Sequence, residues 1–148
     1  MKWVNQKLRA SDIWRHLETN HIIFLCLFSE CSIIVLKCWM CYRFYINLQS
    51  DVFLWPHPDI LLHINPRFRT NSIIMNSWLK GTWGAEQSCP LLLRPGRPFS
   101  LKIKCSSDEF SVSHDGKLVG SYGYRALPRL IKAMYFQGDV FIKEITLS

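Results

Sequence analysis

His63-Ile64-Asn65-Pro66-Arg67-Phe68, with Asn76 and then Trp83-Gly84-Ala85-Glu86 downstream, is the stretch that decides how this chain is read. In an extended strand successive side chains point to opposite faces. His63, Asn65 and Arg67 are spaced i, i+2, i+4 and project from one side, while Ile60, Leu62 and Ile64 fall on the other and pack into a core. Imidazole, amide and guanidinium in a row form a polar comb that offers donors and acceptors at fixed spacing. The flat indole of Trp83 and the carboxylate of Glu86 follow closely. Hydroxyl-reading groups beside an aromatic platform are what a sugar site needs.

Outward from the comb the text stays β. Tyr42, Phe44, Ile46 and Leu48 alternate with Arg43, Tyr45, Asn47 and Gln49. Trp55-Pro56-His57-Pro58 breaks the pattern as a loop. The comb strand runs from Asp59 to Phe68, and Pro66 ends its regular hydrogen bonding because proline lacks the donor. Ser72 to Leu79 reads as the next strand, turned by Lys80-Gly81-Thr82. After the Pro95-Gly96-Arg97-Pro98 loop, Phe99 to Cys105 alternates cleanly. Phe110 to Val119 reads as a hairpin around Asp115-Gly116, a strong two-residue turn signal. Pro128 starts a short irregular link, and Asp139 to Leu147 is the last strand. Short strands separated by turns imply an all-β fold, an antiparallel sandwich.

The 148 residues make one domain by length. Hydrophobic residues are 49% and charged residues 20%, which separates the chain from disordered polypeptides. The formal net charge of +7 raises nucleic acid as a partner, but the lysines and arginines are scattered, with no basic run or helix. No nucleic-acid partner is expected. Six cysteines are present. Cys38-Trp39-Met40-Cys41, with Cys26 and Cys31 upstream, offers four thiolates for zinc. The apolar residues between them favour small buried side chains instead, so no metal and no cofactor is expected. The apolar stretch starts too late for a signal peptide and lacks a convincing small-residue cleavage site. Reduced thiols in a cytosolic compartment follow as the expectation.

Residues 1–41 look like different text. Ser11 to Glu18 reads as a short capped helix with Ile13, Trp14 and Leu17 on one face. Ile22 to Cys41 is mostly apolar and has the length of a membrane span. Glu30 and Lys37 lie within it, and a charge near the bilayer centre costs about 2.5–3.5 kcal/mol or more. Ile33, Ile34 and Val35 suit a buried strand pair, the alternative reading. Membrane association of residues 22–41 is therefore not the favoured expectation.

His63-x-Asn65-Pro66-Arg67, Asn76 and Trp83-Gly84-x-Glu86 resemble the galectin family, the β-galactoside-binding lectins. Tyr42 to Gln49, Phe110 to Gly116 and Gly138-Asp139-Val140 resemble further family strands, so the likeness covers about residues 42–148. Ser88 departs from the pattern, where the family has arginine. The resemblance implies a jelly-roll, concanavalin A-like β-sandwich. It divides the chain into an atypical segment, 1–41, and a carbohydrate-recognition domain, 42–148. The family's two or three opening strands have no counterpart in the text of residues 1–41. Either Ile22 to Cys41 supplies substitutes, or the domain lacks them.

The resemblance also implies a function. His63, Asn65 and Arg67 would bond the axial C4 hydroxyl and ring oxygen of galactose. Trp83 would stack on its C–H face, and Asn76 and Glu86 would hold the C6 hydroxyl. Glu86 would also orient Arg67. The expected partners are β-galactosides such as lactose or N-acetyllactosamine on glycoproteins and glycolipids. A homodimer would give the two sites that cross-linking needs. The expected location is cytoplasmic, with nuclear or leaderless extracellular placement as the family's variants. Catalysis is not expected: nothing sets a spacing between Glu86 and Asp108-Glu109 that a glycosidase would need. The competing reading is an interaction protein on the same scaffold with weak or lost sugar binding, which Ser88 favours.

Overall fold

Turn chemistry and period-two alternation cut this chain into short strands, and the computed structural model shows where they go. It describes residues 6–9, 20–24, 30–37, 44–138 and 140–148. The strands are β1 (Gln6–Arg9), β2 (Asn20–Phe24), β3 (Glu30–Lys37), β4 (Tyr45–Gln49), β5 (Ile60–Arg67), β6 (Ser72–Leu79), β7 (Thr82–Trp83), β8 (Gln87–Pro90), β9 (Phe99–Cys105), β10 (Glu109–His114), β11 (Lys117–Gly123), β12 (Ala133–Gln137) and β13 (Phe141–Leu147). One sheet has the order β1-β13-β3-β9-β10-β11. The other has the order β2-β12-β4-β5-β6-β7, with β8 also on β6. All these pairings are antiparallel. The result is the antiparallel β-sandwich that the alternation implies.

The apolar stretch from Ile22 onward contributes strands. β2 pairs with β12 from Asn20↔Gln137 to Phe24↔Ala133. β3 lies between β13 and β9. Glu30 finds a partner there: it pairs with Lys102 at 2.8 Å. No helix among the described residues is long and apolar enough to cross a membrane. The helix expected at Ser11 to Glu18, the strand start at Tyr42-Arg43, and Cys26, Cys38 and Cys41 lie outside the described residues.

Alternation decides which face each strand buries. Phe44, Ile46 and Leu48, then Leu62 and Ile64, then Ile73 and Met75 all point between the sheets. They meet Leu101 and Ile103 of β9, Phe110 and Val112 of β10, and Ile142 and Ile145 of β13. Two turns take left-handed conformations where the sequence marks them. Lys80-Gly81 has φ of 53° and 80°, and Asp115-Gly116 has 44° and 81°. That pairing of positive φ values is what joins strands with the right twist.

Two expectations for the comb strand need correction. Ile60 is buried as expected but on the other face: it stands outside the cluster between the sheets and lines the groove beside His63. Gln49 pairs with Ile60 while Leu48 pairs with Leu62, so Leu61 is an extra residue. Such a bulge reverses the parity of everything before it, and Leu61 takes the buried place. Pro66 also ends less than expected. Described pairing with β4 runs only from Ile60 to Ile64, but pairing with β6 continues to Arg67↔Ser72.

Candidate functional site

Register turns single strands into rows across the sheet. Asn47, His63 and Asn76 stand opposite one another on β4, β5 and β6. Asn65, Ile74 and Ser88 form the next row, on β5, β6 and β8. Gln49, Ile60, Trp78 and Trp83 form the row on the other side. Cross-strand partners share a face, so the first and third of these rows, with Asn65 from the second, floor a groove of about 610 Å³ on the outer side of the seven-stranded sheet. His63, Asn65, Arg67, Asn76, Trp83 and Glu86 all line it. Five of the six are carried on strands; Glu86 sits just ahead of β8.

Hydrogen bonds set the chemistry of each group. His63 Nδ1 lies 2.6 Å from Asn47 Oδ1. A carbonyl oxygen only accepts, so Nδ1 carries the proton and Nε2 is the acceptor of the neutral ring. Asn65 Nδ2 approaches that Nε2 at 3.4 Å, a long bond. The carbonyl Oδ1 of Asn65 is buried and has no partner, and the same holds for Arg67 Nε. The other end of Arg67 is held by a two-pronged pair with Glu86: Nη2 to Oε1 at 2.7 Å and Nη1 to Oε2 at 3.3 Å. That fork fixes the guanidinium plane, although both side chains are solvent-accessible and the pair adds little stability.

Trp83 is 45% exposed and meets the His63 ring edge-on at 5.0 Å. Its apolar surface is thus open to a ligand on one side and braced on the other. Asn76 is oriented by its neighbours. Its Nδ2 donates to Gly84 O at 2.9 Å, and its Oδ1 accepts from Ser77 N at 2.8 Å and from Arg125 Nη1 at 3.0 Å. Farther along, Tyr45 donates a short hydrogen bond to Gln137. Burial holds the Tyr135 hydroxyl above its ordinary pKa, opposed by its hydrogen bond with Tyr45.

Sequence reasoning missed three residues here. Asn47 sets the tautomer of His63; its only signal was its polar place in an alternating strand. Arg125 is out of reach of any motif. It bonds Asn76, then Ala85 O at 2.8 Å and Ser77 Oγ at 3.4 Å, and lies over the Tyr122 ring at 4.7 Å. It thereby ties β6 to the turn that carries Trp83 and Glu86. Gly84 belongs to the same junction, since a Cβ there would stand 2.0 Å from Arg125 Nη1. Trp78 lines the groove and meets Trp83 at 5.5 Å. Trp55, in the loop ahead of the comb strand, is 81% exposed. Trp39 lies outside the described residues.

The family model for galactoside-binding lectins matches residues 22–147. The chain belongs to this family, the galectins. The match begins at Ile22 and so takes in β3 and most of β2. Among relatives, the chain is 30% identical over 103 residues to a 32 kDa beta-galactoside-binding lectin of Haemonchus contortus, covering 70% of this chain and 36% of that protein. It is 34% identical over 93 residues to human galectin-4, covering 60% of this chain and 28% of that one. It thus spans about a third of the length of these relatives. Among solved structures, the Caenorhabditis elegans galectin LEC-6 superposes with a TM-score of 0.80 at 20% identity, over 96% of this chain and 95% of that one. Sheep galectin-11 gives 0.77 at 19% identity, over 89% and 100%. At such identities the superpositions establish the galectin sandwich as the fold.

Proposed function

We propose that this galectin binds β-galactosides, of the lactose and N-acetyllactosamine type, on glycoproteins and glycolipids, and does so through His63, Asn65, Arg67, Asn76, Trp83 and Glu86. The observation that carries the reading is the unspent hydrogen-bonding capacity in the groove floor. Asn65 Oδ1 and Arg67 Nε are buried without partners, and they stand beside His63, whose Nε2 is an acceptor by virtue of Asn47 and is already approached by Asn65 Nδ2. Buried polar groups left unpaired cost about 1–3 kcal/mol each. A hydroxyl both donates and accepts, so one axial hydroxyl lowered among these atoms uses both kinds of capacity. An equatorial hydroxyl at C4 points away and leaves them unpaired. Trp83 beside them supplies the apolar platform for the C–H face.

The reading is one of binding without turnover. Glu86 is committed to Arg67, whereas a glycosidase needs a pair of carboxyl groups flanking the scissile bond. Domain extent follows the same reasoning: the recognition domain includes β2 and β3, because β12, β13 and β9 use them as partners. A homodimer would provide the second site needed to cross-link glycans.

Lactose and cellobiose test the proposal, because they differ only at C4 of the terminal sugar. The protein is expected to be retained on lactose-agarose and eluted by lactose but not by cellobiose. Equal elution by both, or no retention, refutes the galactoside reading and favours the interaction-scaffold alternative that Ser88 suggests.

A further inference from the structure

The comb fills only part of the groove. About 610 Å³ falls inside the roughly 300–1,000 Å³ of sites that bury ligands of drug size, and a single hexose is well below that size. Arg67 and Glu86 are the charged residues among those lining the groove, and they stand together at one end. Past His63 toward the other end the lining changes to Ile60, Trp78, Leu54, Pro58 and His57. Ile60 and Arg67 are seven positions apart on β5, about 20 Å at strand spacing. The two ends are therefore chemically and spatially separate parts of one trough.

The apolar end is built and held. The bulge at Leu61 is what turns Ile60 outward into it. Gln49 is almost fully buried, and its Nε2 donates to Asp51 O at 2.8 Å and Phe53 O at 3.3 Å, which pins the turn that carries Leu54. Ser50 N bonds Asp59 O at 2.9 Å and closes the loop. His57 stands edge-on between Trp55 at 5.7 Å and Trp78 at 6.4 Å, and Trp78 stands edge-on to Trp83. Perpendicular rings of this kind lock one another in place.

We propose that this corner is a second subsite, which receives a flat apolar substituent carried by the galactoside held on the comb. The inference rests on the galactoside reading above. A hydroxyl-rich group entering the corner would lose water and meet only the ring nitrogens of His57 and Trp78 among apolar neighbours, fewer partners than it leaves behind. An aromatic or similarly apolar ring would bury itself against Ile60, Leu54 and Trp78. Because the sugar already anchors the ligand, the second contact is intramolecular and needs little further ordering.

Titration of the full chain with methyl β-galactoside and with its 2-O-, 3-O- and 6-O-benzyl ethers tests this. At least one ether is expected to bind 10-fold or more tightly than the parent. Trp78→Ala should bring the ratio of ether to parent affinity down to within about twofold of one. Leu54→Ala, on an exposed turn, should at least halve that ratio and leave the melting temperature in place, so it serves even where Trp78→Ala fails to fold. Parent binding with no gain in any ether overturns the subsite alone, as does a gain that survives both substitutions. Failure of the parent to bind overturns the galactoside reading, and the subsite with it.

Discussion

Asn65→Ala should move stability and affinity in opposite directions. Asn65 is 4% exposed, its carbonyl has no hydrogen-bond partner, and its amide makes one long contact to His63 at 3.4 Å. In the free protein the side chain therefore carries a desolvation cost with little return. Its removal leaves no sealed cavity, because the amide borders the open groove and water can refill the space. The variant is expected to be as stable as the parent or more so, by up to about 1 kcal/mol, the lower end of the cost of an unsatisfied buried group. Lactose affinity should fall by about 1–3 kcal/mol, roughly 5- to 150-fold, because the sugar hydroxyl loses the partner that had none other. Urea denaturation followed by circular dichroism gives the first quantity, and titration calorimetry with lactose gives the second. A variant that loses stability in step with affinity would show that Asn65 is a structural amide. Unchanged affinity would remove it from the site altogether.

Three further outcomes follow from particular contacts. Ser88 shares the row of Asn65 and Ile74, so Ser88→Arg should place a cation beside Glu86 and improve lactose by about 1–2 kcal/mol while leaving methyl β-galactoside nearly unchanged; equal gains for both in calorimetry would refute this. Arg125→Ala takes the Arg125 donor from Ala85 O and leaves Asn76 Oδ1 with Ser77 N alone and should cost about 1–3 kcal/mol in both folding and lactose binding; Arg125→Lys should not restore it, since an ammonium lacks the fork that reaches two acceptors. Asp115 accepts from Ser100 N and Oγ at 2.8 and 2.9 Å, and these bonds hold its carboxyl below the ordinary value of 3.8. A lowered folded pKa gives stability that is complete above the unfolded value and is lost as pH falls through the folded one. The parent should melt above Asp115→Asn at neutral pH, and the gap should close as pH drops below about 4; a gap independent of pH would show that charge plays no part.

Legibility of the site followed the range of each interaction. His63, Asn65 and Arg67 could be read together because a strand's geometry is local and places i, i+2 and i+4 on one face. The hairpin at Asp115-Gly116 was equally plain, since φ above zero is a property of the turn residues themselves. Ile60 went wrong for the complementary reason. A single extra residue against β4 inverts strand parity, and the sequence of β5 alone carries no mark of its partner's register. Trp78 gained its role only when β7 folded Trp83 against it.

The sequence by itself determined the alternation, the turns, the comb and the family to which they belong, because each is a property of short segments or of motif order. Tertiary structure alone decided the rest. It placed β2 and β3 in the sheets, brought Asn47 to His63 across 16 positions, and brought Arg125 to Asn76 across 49. It also left Asn65 Oδ1 and Arg67 Nε without partners. Hydrogen bonding and burial depend on which strands become neighbours, and that is settled by packing the whole sandwich at once rather than by any one stretch of chain.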